Sequence, residues 1–430
     1  MASHTLHYGL LNDGEKVLDE AVCFVYRNPK SFTGEDVVEL SVHGSPYIQR
    51  RLLQLLQHEG CRMALPGEFT RRAFQAGKID LTQAEAIADV IDAVSEGSHN
   101  VAMKNLRGGL SQKINILRDR LVELASLIEL ELDFSDEDVE FASRDGLKEL
   151  CRSIIDMLES IAGTYSTGQA IVKGLPVVIA GAPNAGKSTL LNRLLDDDRA
   201  IVSDIPGTTR DTIEDTMEIN GVLYRFIDTA GLRSSTDDAI EIAGMERARR
   251  KMSGASVVIF LFDCSKSGDK EEQVQAWQSV LTNIENDNVS VLPVLNKWDT
   301  SLASVVEEYE TLIENSRNPN QGCVIVDSVR HSVTSAAQLE GLKKCLGDIA
   351  VRYINVDKGE AILTNARHYE AINDALIELR NTLQKLESGA SGDIISVHLR
   401  AAISSLSEIT GSITTPDLLS TIFSRFCIGK

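Results

Sequence analysis

The stretch "LPVVIAGAPNAGKSTLLNRLL", residues 175–195, passes from a β-branched apolar run through a glycine loop into a helical pattern of leucines. Inside it, Gly181–Thr189 keeps the spacing G-x-x-x-x-G-K-[ST]. That spacing lets successive backbone N–H groups wrap a phosphate at a helix N-terminus. It sends the Lys187 ammonium to the β- and γ-phosphates and the Ser188 hydroxyl to Mg²⁺. Asn184, Ala185, Gly186, Lys187, Ser188 and Thr189 are therefore candidate nucleotide contacts. Alone, the pattern also fits a glycine-rich turn in any α/β protein, but two further apolar runs point away from that. "VLYRFI" delivers "DTAG" (Asp228, Thr229, Ala230, Gly231), whose aspartate can hold Mg²⁺ through water and whose glycine N–H can reach a γ-phosphate. "VSVLPVL" delivers "NKWD", in which Asn296, Lys297 and Asp299 offer the amide and carboxylate needed to read a guanine edge. Adenine has no N1–H and 2-amino donors for that carboxylate. The three elements predict a GTP-hydrolysing domain on a doubly wound sheet, with the ligand at the strand ends.

Two details narrow the type. The residue after D-x-x-G in signalling GTPases is a water-orienting glutamine; here it is Leu232, which neither donates nor accepts a hydrogen bond, so another residue must place the water. Between Asp204 and Asp211, "DIPGTTRD" supplies Thr208 and Thr209, either of which can close over Mg²⁺ and the γ-phosphate. Ser335-Ala336-Ala337 stands where a second guanine loop should follow the last strand, with Ala337 in place of the usual basic residue.

The chain has 430 residues, 43% hydrophobic and 25% charged, enough for two or three folded domains. A net charge of −20 argues against a broad nucleic-acid-coating surface, so RNA binding should be local or carried by a partner. Seven scattered cysteines without a C-x-x-C pair suit a reducing compartment and argue against a disulfide frame or a zinc site. No run is apolar enough to span a membrane and the start lacks the form of a signal peptide, which makes the cytoplasm the default compartment. Ahead of the GTPase segment, "KVLDEAVCFVY" and "DVVELSVHG" read as strands, and "LPGEFTRRAFQAGKIDLTQAEAIADVIDA" as helix–turn–helix. Residues 99 to about 165 and 358–430 read as amphipathic helices, with Leu121, Leu124, Ile128 and Leu132 on one stripe. The GTPase domain thus looks inserted between two halves of one helical bundle.

Together with "GAPNAGKSTLLN", "DIPGTTRD", "DTAGLR" and "NKWD", the segments "SFTGEDVVELSVHG", "PGEFTRRAFQAGKIDLTQAEAIADVIDA" and the terminal "FCIGK" resemble the MnmE/TrmE family of tRNA modification GTPases over essentially the whole chain. The fold implied is α/β plus all-α. An N-terminal α+β folate-binding and dimerisation domain occupies 1–98, a P-loop GTPase domain 171–352, and a discontinuous helical domain 99–170 and 353–430. In the family the N-terminal domain opens on a further stretch with a glycine-rich segment and a folate-site arginine, so this chain is expected to start midway through it. Members are homodimers that join an FAD-dependent MnmG-type partner in a heterotetramer. They act on tRNA, installing an aminomethyl or carboxymethylaminomethyl group on C5 of the wobble uridine with a one-carbon unit from 5,10-methylene- or 5-formyl-tetrahydrofolate.

Carried over to this sequence, the resemblance gives Asn184, Ser203, Ile205 and Thr208 to K⁺, Ser188 and Thr209 to Mg²⁺, and Glu241 to the attacking water. A cation there can neutralise charge between the β- and γ-phosphates, the task of an arginine finger elsewhere. Glu39, Lys78 and Lys430 match the folate positions, a carboxylate for the pterin donor edge and lysines for the glutamate tail. The tail itself has two readings. One is a helix end in which Phe423 and Phe426 pack inward, Gly429 stops the helix and Cys427 is a small buried hydrophobe. The other makes Cys427, with the Lys430 ammonium close by, a nucleophile or positioning group at the folate pocket. A ribosome-assembly GTPase would share the GTPase motifs but would carry a basic RNA-binding domain, and nothing here is basic beyond "RARRK" at 247–251. A GTP-dependent dimer that only moves its partner is a second alternative.

Overall fold

The computed structural model describes residues 2–133, 144–198, 215–227, 254–265, 269–284, 289–317, 323–331, 336–354, 361–424 and 426. The chain forms two compact units, one of Met1–Asp92, Val101–Gly163 and Asn365–Lys430, the other of Ala93–Asn100 and Thr164–Thr364.

In the first unit, β1 (Thr5–Asp13), β2 (Lys16–Tyr26) and β3 (Val37–Ser41) form an antiparallel sheet in that order, with a bulge between Leu11 and Asn12. α1 (Pro46–His58) follows, and then α2 (Glu68–Gln75) and α3 (Leu81–Asp92), the two helices anticipated around "PGEFTRRAFQ". α4 (Glu96–Leu106), of which only the part from Val101 belongs to this unit, leads into α5 (Gly109–Asp133), where Leu110, Ile114, Leu117, Leu121, Leu124 and Ile128 are buried at helical spacing. α6 (Arg144–Gly163) contributes Leu147, Cys151, Ile154 and Leu158 to the same interior. Burying each such side chain contributes about 1.5–3 kcal/mol before conformational entropy is set against it.

The second unit opens with residues 93–100, where the Gly97 N–H donates to the Gly221 carbonyl at 2.9 Å. It continues through α7 (Tyr165–Lys173), β4 (Leu175–Gly181) and α8 (Lys187–Asp198) to the hairpin β5 (Asp215–Ile219) and β6 (Val222–Phe226). Asn220 and Gly221, at φ 53° and 80°, make the tight turn of that hairpin. Next come β7 (Val257–Asp263), α9 (Lys270–Asn283), β8 (Val289–Asn296), α10 (Ala303–Asn315), β9 (Cys323–Ile325), β10 (Val329–His331) and α11 (Ala336–Ile354). The sheet runs β10-β8-β7-β4-β6-β5, with β9 also on β8, and β4, β7 and β8 are mutually parallel. Strands covered on both faces read as near-continuous apolar runs, and β7 and β8 are buried throughout. Val257, Ile259 and Leu261 meet Leu190, Leu191 and Leu194 of α8 and Leu342 and Leu346 of α11. The alternate residues Val258, Phe260 and Phe262 meet Trp277 of α9 and Tyr309 and Ile313 of α10. The result is a doubly wound domain whose β4–α8 connection is the glycine loop.

Past this unit the chain completes the first one with α12 (Ala366–Glu387), α13 (Gly392–Thr410) and α14 (Pro416–Phe423). α12 packs on α6 and α13, and α13 on α5. Asn365 caps α12 by accepting from the Arg367 N–H at 2.9 Å. Among the described residues no helix is long and apolar enough to cross a membrane.

α3 and α12 meet through a buried charge cluster. Glu85 accepts from Arg367 Nε at 3.1 Å and Nη2 at 2.8 Å, and lies 2.7 Å from His368 Nε2. Burial pushes the Glu85 carboxyl up, but His368 and Arg367 together outweigh it and bring it down to about 2. Asp89, one turn along, has no such compensation: burial, then the charges of Glu85 and Asp92, push it up to about 6 from an ordinary 3.8. Below the ordinary value Asp89 is protonated whether the chain is folded or not, and the shift has no effect. As pH rises through 4 to 6 the unfolded chain ionises first, so stability falls. Above 6 the whole cost is present, at most about 3 kcal/mol. Asp89→Asn should therefore stabilise the protein by about 1–2 kcal/mol at pH 7.5 and by nothing near pH 4. Urea unfolding at the two pH values checks this, and an equal effect at both would refute it.

Candidate nucleotide-binding site

β4 ends on Gly181 at φ 144°, where an added Cβ would stand 2.6 Å from the Leu261 carbonyl oxygen, so only glycine lets the strand end lie this close to β7. The loop then turns at Asn184, in the left-handed region at φ 60°, and again at Gly186, φ 98°. Gly186 has no room for a side chain, since a Cβ would meet Asn296 Nδ2 at 2.5 Å. Ala185 is fully buried between these turns, while Asn184 is exposed at the top of the loop. Lys187, Ser188 and Thr189 form the first turn of α8, and the positive end of the helix dipole there favours an anion. The Lys187 ammonium donates to the carbonyls of Gly181 at 2.9 Å and Ala182 at 2.8 Å, and burial lowers its pKa. Those neutral acceptors can be exchanged for phosphate oxygens at little cost, because a charged acceptor makes the stronger bond.

The second loop leaves the end of β8 and is tied directly to the first. Asn296 is buried, and its Nδ2 donates to the Ala185 carbonyl at 2.7 Å. Its Oδ1 is buried with no hydrogen-bond partner among the described residues, an acceptor placed for a ligand donor. Lys297, at φ 57°, sends its ammonium to the Asn184 carbonyl at 3.1 Å and to Asp263 Oδ2 at 2.7 Å. A short 3-10 helix, Trp298–Thr300, then presents Asp299, which is exposed. Asp263 was not among the residues singled out from the sequence. The signal for it was an acidic residue closing the apolar run "VVIFLFD".

The structure therefore joins Asn184, Ala185, Gly186 and Lys187 to Asn296 and Lys297 in one pocket edge. Ser203, Ile205, Thr208, Thr209, Asp228, Thr229, Ala230, Gly231, Glu241 and Ser335 lie outside the described residues. Ala336 and Ala337 begin α11.

The N-terminal candidates occupy the first unit. Glu39 is exposed on β3, opposite Phe24 of β2. Lys78, in the turn after α2, runs its side chain beside Gly34, 3.6 Å from where a Cβ would stand. Arg72 of α2 bridges Glu68 at 2.7 Å and Glu35 at 3.0 Å, and Arg62 also pairs with Glu68. Hydrogen bonds from Arg62, the Leu65 N–H and Arg72 hold the Glu68 carboxyl far below the usual range. α14 comes to this neighbourhood. Phe423 and Phe426 are buried against Leu81 and Ala84, and Phe74 lies 6.5 Å from Phe423 between ring centres. α14 stops at Phe423 rather than reaching Gly429, because the chain turns there with Phe426 N–H on the Phe423 carbonyl at 3.2 Å. Cys427 and Lys430 lie outside the described residues. Of the other cysteines, Cys151 and Cys264 are free and buried, their thiols pushed up to about 11 and about 12 mainly by burial.

A glycine cradle at a helix N-terminus, clasped by an asparagine and a lysine from the end of β8, is the arrangement of a P-loop nucleotide-binding protein. Comparison with known proteins carries the identification further. A family model described as "GTP-binding protein TrmE N-terminus" matches residues 1–78, and one described as "MnmE helical domain" matches 81–427. The chain is 44% identical to the tRNA modification GTPase MnmE of Christiangramia forsetii, over 100% of this chain and 90% of that protein. It is 43% identical to the protein of that name from Cytophaga hutchinsonii, over 100% and 89%. The Bacteroides thetaiotaomicron protein of the same name is 43% identical over 99% and 90%. The chain belongs to the MnmE (TrmE) family.

Proposed function

We propose that the chain hydrolyses GTP to drive modification of tRNA, adding an aminomethyl or carboxymethylaminomethyl group to C5 of the wobble uridine. The observation that carries the nucleotide half is the double tie of Asn296 to Ala185 and Lys297 to Asn184, which joins a guanine-reading loop to a phosphate loop. Lys187 exchanges its carbonyl partners for the β- and γ-phosphates, and Asp299 accepts from the guanine edge. The oxygen donors of this edge suit hard cations. Ser188 and Thr209 would hold Mg²⁺, and Asn184, Ser203, Ile205 and Thr208 would hold K⁺. When bound, these ions neutralise charge that develops on the phosphates. With Leu232 unable to orient water, Glu241 takes that task.

The one-carbon half rests on the packing of Phe423 and Phe426 against Gly67 at the start of α2. Glu39, Lys78 and Lys430 would hold a tetrahydrofolate derivative, which would supply the carbon, with Cys427 as the nucleophile or positioning group. The exposed Glu39 and Lys78 offer a carboxylate for pterin donors and a cation for the glutamate tail. The working assembly is a homodimer joined by an FAD-dependent partner, acting on tRNA in the cytoplasm. Residues 1–98 form the folate-binding and dimerisation domain, 99–170 and 353–430 the helical domain, and 171–352 the GTPase domain. In bacterial cells lacking their own copy, this chain should restore modified wobble uridine, and its purified form should turn GTP over about tenfold or more faster in K⁺ than in Na⁺. Asn184→Ala should erase the salt difference. Unmodified tRNA from complemented cells would overturn the proposal, and equal rates in the two salts would overturn the K⁺ assignment.

A further inference from the structure

The end of β7 carries a buried side-chain relay that belongs to none of the nucleotide-binding motifs. We propose that Asp263 is a positioning residue for guanine-nucleotide binding, holding the Lys297 ammonium against the phosphate loop while Gln273 holds Asp263 in place. This rests on the assignment of Asn296, Lys297 and Asp299 to the guanine.

Asp263 is buried and stands beside Asn296 in the parallel register of β7 and β8. Its Oδ2 accepts from Lys297 Nζ at 2.7 Å, and its Oδ1 accepts from the Ser265 N–H at 2.9 Å. Gln273, on the first turn of α9 and 1% exposed, grips the Asp263 peptide from both sides: Oε1 accepts its N–H at 2.6 Å and Nε2 donates to its carbonyl at 3.0 Å. α9 is anchored there by Asp269, which accepts from the N–H groups of Glu271 and Glu272.

A lysine is a flexible point charge with three donors, and ordering its stem has an entropic cost. Lys297 spends one donor on the Asn184 carbonyl, the crown of the phosphate loop, at 3.1 Å. By itself that neutral bond would fix the ammonium weakly. The Asp263 carboxylate adds a charge-assisted bond from a partner that cannot move, since its main chain is clamped and its other oxygen is occupied. Lys297 is thereby ordered before nucleotide arrives, and the two loops are set at their working separation. A carboxylate that merely filled the strand end would have no reason to face the lysine of the guanine loop.

A double-mutant cycle separates the two cases. Binding of a fluorescent GDP analogue is titrated to millimolar concentration for the full chain, Asp263→Ala, Lys297→Met and the double variant, with thermal unfolding followed in parallel. Asp263→Ala should weaken binding about tenfold when Lys297 is present and less than twofold in the Lys297→Met background. Gln273→Ala should weaken it severalfold, but only while Asp263 is present. The same loss from Asp263→Ala in both backgrounds would overturn the positioning role and leave a structural one. Unchanged affinity in Lys297→Met would instead overturn the guanine-loop assignment on which the proposal rests. If Asp263→Ala does not fold, Asp263→Asn replaces it under the same criterion, because the amide removes the charge at nearly constant shape.

Discussion

Gly186→Ala should weaken GDP and GTP binding about 100-fold or more while leaving the protein folded. Two costs combine at this position. The backbone is at φ 98°, a region that side-chain-bearing residues rarely adopt. A Cβ would also lie 2.5 Å from Asn296 Nδ2, and the amide it strikes is the one that ties the guanine loop to Ala185. Relief requires either Asn296 to leave or the loop to flatten. Under the proposed assignment, the first would break the guanine contact and the second would turn the loop's N–H groups away from the phosphates. A 100-fold loss corresponds to about 2.7 kcal/mol, within the range for a broken buried hydrogen bond plus local strain. Gly341→Ala is the control, because Gly341 lies inside α11 with nothing within 4 Å of its Cβ position. It should bind nucleotide normally and gain about 0.5–1 kcal/mol of stability from helix propensity. Nucleotide titration and thermal unfolding of both variants decide the matter; normal affinity in Gly186→Ala would mean that the Asn296 tie is dispensable.

The glycine loop was legible in the sequence because phosphate binding at a helix N-terminus is local chemistry, requiring Gly181, Gly186, Lys187 and Ser188 at fixed spacing along one strand–loop–helix unit. The buried strands β7 and β8 were legible for a similar reason, since two-sided burial makes their runs almost continuously apolar, with the polar Asp263 and Asn296 standing at their ends. What stayed hidden depends on which strands are neighbours. Asp263 and Lys297 are 34 residues apart and meet only because β7 and β8 pair in parallel. Gln273 reaches Asp263 only because α9 returns along β7. Likewise, nothing in "VSEGSHN" announces that Gly97 must pass close to Gly221, yet that approach takes residues 93–100 into the second unit. The charge cluster of Glu85, Arg367 and His368 joins segments about 280 residues apart, and no local pattern marks such a pair.

Cys427→Ser and Gly67→Ala should each abolish most wobble-uridine modification while GTP turnover stays within about twofold of normal. The two substitutions test one idea from opposite sides. Gly67 caps α2 in the left-handed region at φ 65°, and a Cβ there would lie 2.7 Å from the Phe423 carbonyl oxygen and 3.1 Å from the Cβ atoms of both Phe423 and Phe426. The last turn of α14 thus rests directly on the glycine of "PGEFT". Phe426, the residue before Cys427, is held by ring contact with Phe423 at 5.6 Å. Replacing Gly67 by alanine pushes this turn and Phe426 off α2 without touching a residue of the nucleotide loops. Replacing Cys427 by serine exchanges the thiol for a hydroxyl, a far poorer nucleophile at neutral pH. If the thiol does chemistry at a pocket that α2 helps to form, both variants lose modified uridine and neither loses GTPase activity. If Cys427 only packs, Cys427→Ser modifies tRNA normally, and any defect in Gly67→Ala comes with a lowered unfolding temperature. Modified-uridine content of tRNA from cells carrying each variant, with GTPase rate and unfolding temperature measured alongside, distinguishes a working thiol from a packed one.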